Sequence, residues 1–177
     1  MKSQQFALMT SRGSDEWYTP PHIVDRARAA MGDIDLDPAS CAVPQRWIRA
    51  TAYYTKDQDG LAQPWGGRIW LNPPFKQTQA WVRKLEIEYR AGRVSQAVLL
   101  VNTAAGYNWW EELVDRWGCL MLRKRLTFIT QDGTPGPDHA KKGQSLFYLG
   151  RHLDRFVGAY ADLGRFVPSQ KEGNNEP

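Results

Sequence analysis

The residues best suited to chemistry are Asn72, Pro73, Pro74 and Phe75, which follow the run RIWL in the stretch IWLNPPFKQ. Proline has a fixed φ and no N–H, so its loop is stiff and its carbonyl oxygens are unshared acceptors. The side-chain oxygen of Asn72 and the carbonyl oxygen of Pro73 form an acceptor pair suited to an NH2 group, which has two hydrogens to donate. Phe75 adds a flat surface on which a planar ring can stack.

The chemistry that this acceptor pair favours is group transfer to an amine. An exocyclic amine on a purine or pyrimidine is a poor nucleophile, because its lone pair is delocalised into the ring. Two acceptors that hold both hydrogens out of plane localise that pair, so an electrophile placed in line can react without a strong base. The alternative is an ordinary turn with Phe75 in the core, because Asn-Pro and Pro-Pro are common turn dipeptides.

The elements around this loop predict an α/β fold with a mostly parallel sheet. RIWL is a predicted strand, residues 77–91 have the apolar periodicity of a helix, and AVLLV at 97–101 is typical of a strand buried on both faces. A further helix is predicted over 108–117. Ligands bind outside the carboxyl ends of the strands in such a sheet, which is where Asn72 is expected to lie.

The segments before and after these elements carry different patterns. Thr19 and Pro20 are the predicted N-cap and first residue of a helix, and IDLDP at 34–38 is a predicted strand. Residues 41–67 predict a loop with at most a short helix and strand, because Pro and Gly interrupt them. After Trp117 only strands are predicted, in GCLMLRKRLTFI, QSLFYLG and RFVGAYADLGRFV, and the first two predict a C-terminal antiparallel hairpin.

Composition predicts one domain that suits a partner with phosphates. The chain of 177 residues has a formal net charge of +4 and a pI near 9.1. Residues 1–14 and 169–177 are polar and predicted to be flexible, which leaves 15–168 as a single domain. The sequence lacks a signal-peptide pattern and a run long enough to span a bilayer, so we expect a cytoplasmic protein without a membrane partner. Cys41 and Cys119 lack metal-ligand spacing, so no metal is expected.

Three motifs in order resemble a known family. LNPPF looks like the (N/D/S)PP(Y/F/W) motif of amino-group methyltransferases that use S-adenosylmethionine. The order EWYTPP, DLDPAS, WLNPPF resembles the phage-encoded DNA N-6-adenine methyltransferases, the short bacteriophage Dam-like family, over about residues 15–101. The resemblance implies a Rossmann-like methyltransferase fold, S-adenosylmethionine as cofactor, and methylation of adenine N6 in DNA within a bacterial host cytoplasm.

The resemblance also implies roles for single residues. Asn72 and the Pro73 carbonyl hold the adenine amino group, and Phe75 stacks on the flipped base. A carboxylate at Asp37 suits the ammonium group of the cofactor, because a desolvated cation needs a partner. Asp37 is alternatively a turn aspartate before a proline. The full set implied to bind the cofactor is Tyr18, Thr19, Pro20, Asp37, Pro38, Ala39 and Asp59.

Two departures from the wider methyltransferase pattern concern this cofactor. DPAS lacks the glycines that normally follow the first strand and let the backbone approach the cofactor. Segment 41–67 is also too short for two full strand and helix units, so the acidic residue that holds the ribose is assigned to Asp57 or Asp59 in TKDQDGL. A solvated turn is the alternative for both aspartates.

The predicted DNA contacts lie in the last third of the chain. A target amine lies inside the duplex stack, so the base must be flipped out of double-stranded DNA, and backbone contacts help to offset the cost. Because the chain has little room for a separate recognition domain, the loop 130–143 with Gln131, Asp138 and His139 is the predicted reader of bases. Basic runs are often only solvated surface, but the residues predicted to neutralise phosphates are Arg123, Lys124, Arg125, Lys141 and Lys142.

Three other functions stay open from the residues alone. A cytosine N4 amino group presents nearly the same geometry to two acceptors. Motifs of the NPPY type also occur in enzymes that methylate a glutamine side-chain amide in proteins, although those enzymes carry a glycine-rich loop upstream where this chain has DPAS. A catalytically silent DNA-binding module is the third alternative, and cofactor binding separates it from the enzymes.

Overall fold

The structure is a computed structural model that describes residues 17–137 and 140–170. Its α-helices are α1 (Pro21–Met31), α2 (Ala42–Ile48), α3 (Thr78–Arg90), α4 (Asn108–Trp117) and α5 (Leu153–Tyr160). Its strands are β1 (Leu36–Asp37), β2 (Ala52–Tyr53), β3 (Gly67–Leu71), β4 (Val94–Asn102), β5 (Cys119–Leu122), β6 (Gln144–Leu149) and β7 (Gly164–Val167). Two short 3₁₀ turns cover Lys56–Gln58 and Phe75–Gln77.

The seven strands form one sheet in the order β2-β1-β3-β4-β6-β5-β7. Strands β2, β1, β3 and β4 are parallel, whereas β6 runs antiparallel to β4, β5 antiparallel to β6, and β7 antiparallel to β5. The predicted α/β fold, with a mostly parallel sheet and an antiparallel C-terminal pair, is confirmed.

The strand order reverses between β1 and β3. The chain leaves β1 through α2 and returns to β2 on one side, but it leaves β3 through α3 and returns to β4 on the other side. A reversal of this kind opens a crevice at the carboxyl ends of the two central strands, which is the usual ligand site of open α/β sheets. Asp37 ends β1 and Asn72 follows β3, so both lie at this crevice.

The sheet packs between two layers of helices. Ile69 and Leu71 face the layer of α3 and α4, while Trp70 between them faces the layer of α1, α2 and α5. This alternation follows from the pleat, which sends successive side chains to opposite faces. Because both faces are covered, β3 and β4 are apolar along most of their length, and their ends stay fixed beneath the crevice.

The segment after β6 differs from the prediction that only strands follow Trp117. RFVGAYADLGRFV begins inside α5, which buries Phe156 and Tyr160 against α1, and only its end forms β7. Leu153, Phe156 and Tyr160 repeat at helical spacing, and this period outweighs the β-branched and aromatic content of the segment. The predicted strand in GCLMLRKRLTFI was also too long, because pairing stops at Leu122, before three exposed basic residues.

The start of α1 lies one residue later than predicted. Pro20 is the N-cap and Pro21 the first helical residue, so the prediction of Thr19 as N-cap was wrong. The hydroxyl of Thr19 accepts a hydrogen bond from Asn72 and does not cap the helix. The predicted short helix and strand in 41–67 are confirmed as α2 and β2.

The predicted flexible ends fall mainly outside the described residues, as do 1–14 and 171–177. The backbone N–H of Gln170 still donates to the carbonyl of Asp115 at 3.1 Å, so packed chain extends at least that far. The domain boundaries at 15 and 168 stay predictions. Within 17–137 and 140–170, no helix is both long and apolar enough to cross a bilayer.

Candidate active site

Asn72 begins the loop at the end of β3, and its amide has a defined orientation. The Asn72 Nδ2 group donates to the Thr19 hydroxyl oxygen at 3.1 Å. Because the amide is planar, its Oδ1 points away from Thr19. The side chain is partly exposed, so this oxygen is the end available to a ligand.

The two prolines and Phe75 form a short turn that leads into α3. The Pro74 carbonyl accepts from the Gln77 N–H at 3.2 Å and from the Thr78 hydroxyl at 3.3 Å. Neither bond uses the carbonyl of Pro73, which remains an acceptor beside Asn72. Phe75 is 50% exposed, so the alternative that places its ring in the core is wrong.

The segment before α1 is clamped next to Asn72. The backbone of Tyr18 pairs with Ile129 through two hydrogen bonds of 2.9 and 2.8 Å. The Thr19 carbonyl accepts from the Trp47 indole N–H at 2.9 Å, and the Tyr18 hydroxyl accepts from the Cys41 thiol at 3.2 Å. Tyr18, Thr19 and Pro20 are therefore brought to the crevice, as the resemblance implied.

Asp37 is buried at the carboxyl end of β1, with 2% of its surface exposed. Its carboxylate accepts from the Ala39 N–H at 3.3 Å and from Gln45 Nε2 at 3.0 Å, and Ser40 also donates to it. All three donors are neutral. Burial raises the pKa of Asp37 to about 7, and the hydrogen bonds from Ser40, Ala39 and Gln45 offset only part of that rise.

Gln45 is a site residue that the sequence analysis missed. Its Nε2 donates to Asp37 and to the Ser40 hydroxyl at 2.8 Å, while its Oε1 accepts from the Ala50 N–H at 3.0 Å. All of these partners lie along α2 or at its ends, so Gln45 holds the DPAS loop against the helix. A glutamine on a short helix carries no local pattern that marks it, so only the contact reveals this role.

These residues fit the cationic end of S-adenosylmethionine. A buried carboxylate with a raised pKa and only neutral donors is stabilised by an added cation, and an ammonium group supplies one. Asp37 lies level with Trp70 in the register, so strand geometry places its Cα about 8 Å from that of Asn72. That separation suits a ligand whose ammonium and methyl groups are a few bonds apart.

Gly60 provides the close approach that the DPAS loop lacks in its own sequence. A Cβ atom on Gly60 would lie 2.0 Å from the carbonyl oxygen of Pro38, so only glycine fits there. The Gly60 carbonyl in turn accepts from the Trp65 indole at 2.7 Å. The turn that holds Asp59 is therefore packed against the loop after Asp37, although Asp59 itself is exposed and accepts from the Leu61 N–H.

Replacing Gly60 by alanine should weaken S-adenosylmethionine binding and destabilise the fold. The added methyl group forces the Pro38 carbonyl or the Gly60 turn to move, and such overpacking costs about 1–3 kcal/mol. Gly158→Ala is the matched control, because nothing lies within 4 Å of its added Cβ and the residue is in α5. Urea unfolding and calorimetric titration of both variants measure the difference. Equal behaviour of the two variants would show that the contact is not tight.

The predicted DNA-binding residues leave the sheet at the same edge as the crevice. Strand β5 runs in the direction of β4, so Arg123, Lys124 and Arg125 follow its end at this edge. The chain returns through Lys141 and Lys142 to Gln144, which is opposite Asn102 at the end of β4. All five basic side chains are exposed.

Gln144 fixes both ends of this basic segment and was also missed by the sequence analysis. Its Oε1 accepts from the Leu126 N–H at 3.0 Å, and its Nε2 donates to the Lys142 carbonyl. The same Nε2 lies 3.4 Å from Asn102 Oδ1. The available signal was a polar residue at the start of the apolar run QSLFYL, because a buried glutamine needs partners of this kind.

The loop predicted to read bases is partly described. Its first part turns back at Gly133, where the Thr130 N–H donates to the Thr134 carbonyl at 2.9 Å. Gly136 packs under the ring of Trp17, where a Cβ atom would come within 2.7 Å. Asp138 and His139 lie outside the described residues, and Gln131 is exposed in the turn.

Exposed aromatic rings surround the crevice. Phe75 follows β3, Tyr53 ends β2 with 36% exposure, and Tyr107 lies between β4 and α4 with 62% exposure. Exposed rings with no role in the core are suited to stacking against bases. Among the described residues, no group of His, Cys, Asp and Glu is placed to hold a metal ion.

A family model described as DNA N-6-adenine-methyltransferase (Dam) matches residues 8–161 of this chain. The chain belongs to the Dam family. The predicted family and enzyme class are therefore confirmed: the protein is a DNA N6-adenine methyltransferase, and its seven-stranded α/β sheet is consistent with a Rossmann-like methyltransferase fold. The chain matches no curated protein closely enough to add a named relative. A Dam-family enzyme acts on DNA, which makes the exposed basic edge its expected docking surface.

Proposed function

We propose that this Dam-family protein transfers the methyl group of S-adenosylmethionine to the N6 amino group of an adenine flipped out of double-stranded DNA. The observation that carries the proposal is the arrangement of the crevice. An acceptor pair, Asn72 and Pro73, lies at the end of one central strand, and the buried carboxylate of Asp37 lies at the end of its neighbour.

The acceptor pair acts on the amine. Asn72 Oδ1 and the Pro73 carbonyl each accept one hydrogen of the N6 amino group, which localises the nitrogen lone pair and directs it away from the base. The prolines keep the two oxygens fixed, so little conformational entropy is lost when the base binds. Phe75, half exposed beside them, stacks on the adenine.

The opposite side of the crevice holds the cofactor. Asp37 accepts the ammonium group, and Tyr18, Pro20, Pro38, Ala39 and Asp59 complete the pocket, as the family resemblance implies. S-adenosylmethionine supplies the activated methyl group when it is bound. The Gly60 contact supports this arrangement, because it brings the Asp59 turn against the loop that follows Asp37.

The basic edge binds the phosphates around the target base. Base flipping costs a few kcal/mol, and contacts to the DNA backbone help to offset it. Arg123, Lys124 and Arg125 supply positive charge at one end of the segment, and Lys141 and Lys142 supply it at the other end. The part of the loop around Gln131, which docks on Trp17, is the proposed reader of flanking bases.

Replacing Lys141 and Lys142 together by alanine should lower the slope of log affinity against log salt by up to about two. The order of preference among target sequences should stay the same, because phosphate contacts carry no direct sequence information. Arg151→Ala with Arg155→Ala is the matched control, since it removes the same charge from exposed positions at the opposite edge of the sheet. Salt titrations in which both double variants behave alike would remove Lys141 and Lys142 from the interface.

Nucleoside analysis of DNA tests the proposed function directly. The protein is expressed in cells whose DNA lacks N6-methyladenine, with Asn72→Ala as the inactive control, and the DNA is digested and analysed by mass spectrometry. We expect N6-methyladenine with the parent protein only. N4-methylcytosine would make cytosine the substrate, and methylated glutamine in cell protein without a modified base would favour the amide reaction.

The silent-module alternative predicts a different pair of results. Such a protein binds DNA but gives no modified base and no heat of binding with S-adenosylmethionine in a calorimetric titration. The proposed function requires both signals. Phage encoding and a bacterial cytoplasmic location belong to the same proposal and rest on the family resemblance alone.

A further inference from the structure

The amide of Asn72 must present one particular end to the substrate. Its oxygen accepts a hydrogen from an amine, but its NH2 group would meet that amine donor to donor. Rotation of the amide by half a turn exchanges the two ends at almost no cost in shape. The proposed chemistry therefore needs a partner that distinguishes the oxygen from the nitrogen.

We propose that Thr19 is this partner: its hydroxyl oxygen accepts a hydrogen bond from Asn72 Nδ2 and so positions Oδ1 toward the amine. The proposal rests on the proposed function and deepens it, because it gives Thr19 a role toward the amine and not toward the cofactor. The observation that carries it is the 3.1 Å bond between Asn72 Nδ2 and Thr19 Oγ1, which joins residues 53 positions apart.

Thr19 is held too firmly to follow Asn72 if the amide rotates. Its side chain is in a residue with 2% exposure, and its carbonyl accepts from the indole of Trp47. The preceding residue, Tyr18, is paired on both sides of its peptide unit with Ile129. The hydroxyl is thus a fixed acceptor, and a fixed acceptor selects one of the two amide orientations.

Removal of the hydroxyl should lower the rate of methyl transfer while cofactor binding persists. Thr19→Val keeps the shape of the side chain but has no acceptor, so we expect kcat to fall by about ten- to hundredfold, the scale of loss for a misplaced reacting group. Affinity for S-adenosylmethionine should change by less than about threefold, since one buried hydrogen bond is worth little when it is not made to the ligand. Thr19→Ser, which keeps the oxygen, should restore most of the rate.

The same substitution in an Asn72→Asp background separates orientation from packing. A carboxylate offers an oxygen at both ends, so no partner is needed to select one. Thr19→Val should therefore have little further effect on kcat once Asn72→Asp is present, whereas an equal loss in both backgrounds would overturn the proposal. A large loss of S-adenosylmethionine affinity in Thr19→Val would overturn it as well, because it would place Thr19 on the cofactor.

A measurement without catalysis tests the hydrogen bond itself. The side-chain NH2 resonances of Asn72 are identified in ¹⁵N spectra by their loss in Asn72→Ala. In the parent and in Thr19→Ser these protons should exchange slowly with water, and in Thr19→Val they should exchange faster and shift. Unchanged resonances in Thr19→Val would sink the proposal. If the parent transfers no methyl group at all, the proposed function fails, while these spectra still decide whether Thr19 orients the amide.

Discussion

Replacing Asn72 by alanine should lower kcat for DNA methylation by about 10²–10³-fold, which is the usual effect of removing one preorganised polar group at a reaction centre. The amide acts on the amine and not on the cofactor, so S-adenosylmethionine affinity should stay within about threefold of the parent value. The rate is measured by transfer of radiolabelled methyl groups to DNA that lacks N6-methyladenine. Calorimetric titration gives the cofactor affinity.

Asn108→Ala is the control for this experiment. Asn108 is exposed at the start of α4, at the same edge of the sheet as Asn72, so it shares the amide and the surroundings without touching the crevice loop. Its replacement should leave the rate unchanged. An Asn72→Ala protein with the parent's turnover would remove Asn72 from the reaction. Parallel loss of cofactor affinity would point to a distorted crevice.

The position of the catalytic loop was predictable because its signals are local. RIWL is a short apolar run that ends in Asn-Pro-Pro, and an apolar run of five residues follows one helix later, which together indicate parallel strands with a loop at their carboxyl ends. The helix α5 was not predicted, since Phe156 and Tyr160 suit a strand by residue type and a helix by spacing. Burial against α1 decides between the two, and burial is not visible in a short window of sequence.

The contacts that organise the site could not be predicted, because they join distant parts of the chain. Thr19 meets Asn72 across 53 positions, and the Gly60 backbone meets Pro38 only after the β1–α2–β2 crossover. The sequence placed each of these segments at the crevice by resemblance, but it did not pair them. Thr19 is the instructive case: as a predicted cap its hydroxyl would bond a helix N–H, whereas in the fold it bonds the catalytic amide.

Asp37 should limit the stability of the protein at neutral and higher pH. Burial raises its pKa from the ordinary value of 3.8 to about 7, so the folded protein holds a proton on Asp37 that the unfolded chain releases. The free energy of unfolding therefore falls as pH rises from about 4 to about 7, and above that range the buried charge costs up to about 4 kcal/mol. A carboxylate kept in so costly a place indicates a role that needs its charge.

Replacing Asp37 by asparagine should stabilise the protein at pH 8 and weaken S-adenosylmethionine binding. We expect a gain of about 1–3 kcal/mol in urea unfolding, after subtraction of the stronger hydrogen bond that Gln45 makes to a charged acceptor, and no gain at pH 5. Cofactor affinity should fall by about 10- to 100-fold, because the ammonium group loses its charged acceptor.

Asp35→Asn is the matched control for this prediction. Asp35 lies two residues before Asp37 and is paired with Arg68 at 2.7 Å, and the hydrogen bonds from Arg68 lower its pKa. Loss of that charge should therefore destabilise the protein at pH 8 and leave cofactor affinity unchanged, the opposite of both effects at Asp37. If Asp37→Asn is less stable than the parent at pH 8, its charge is not costly. If it binds S-adenosylmethionine as the parent does, the ammonium group lies elsewhere and the cofactor side of the crevice must be reassigned.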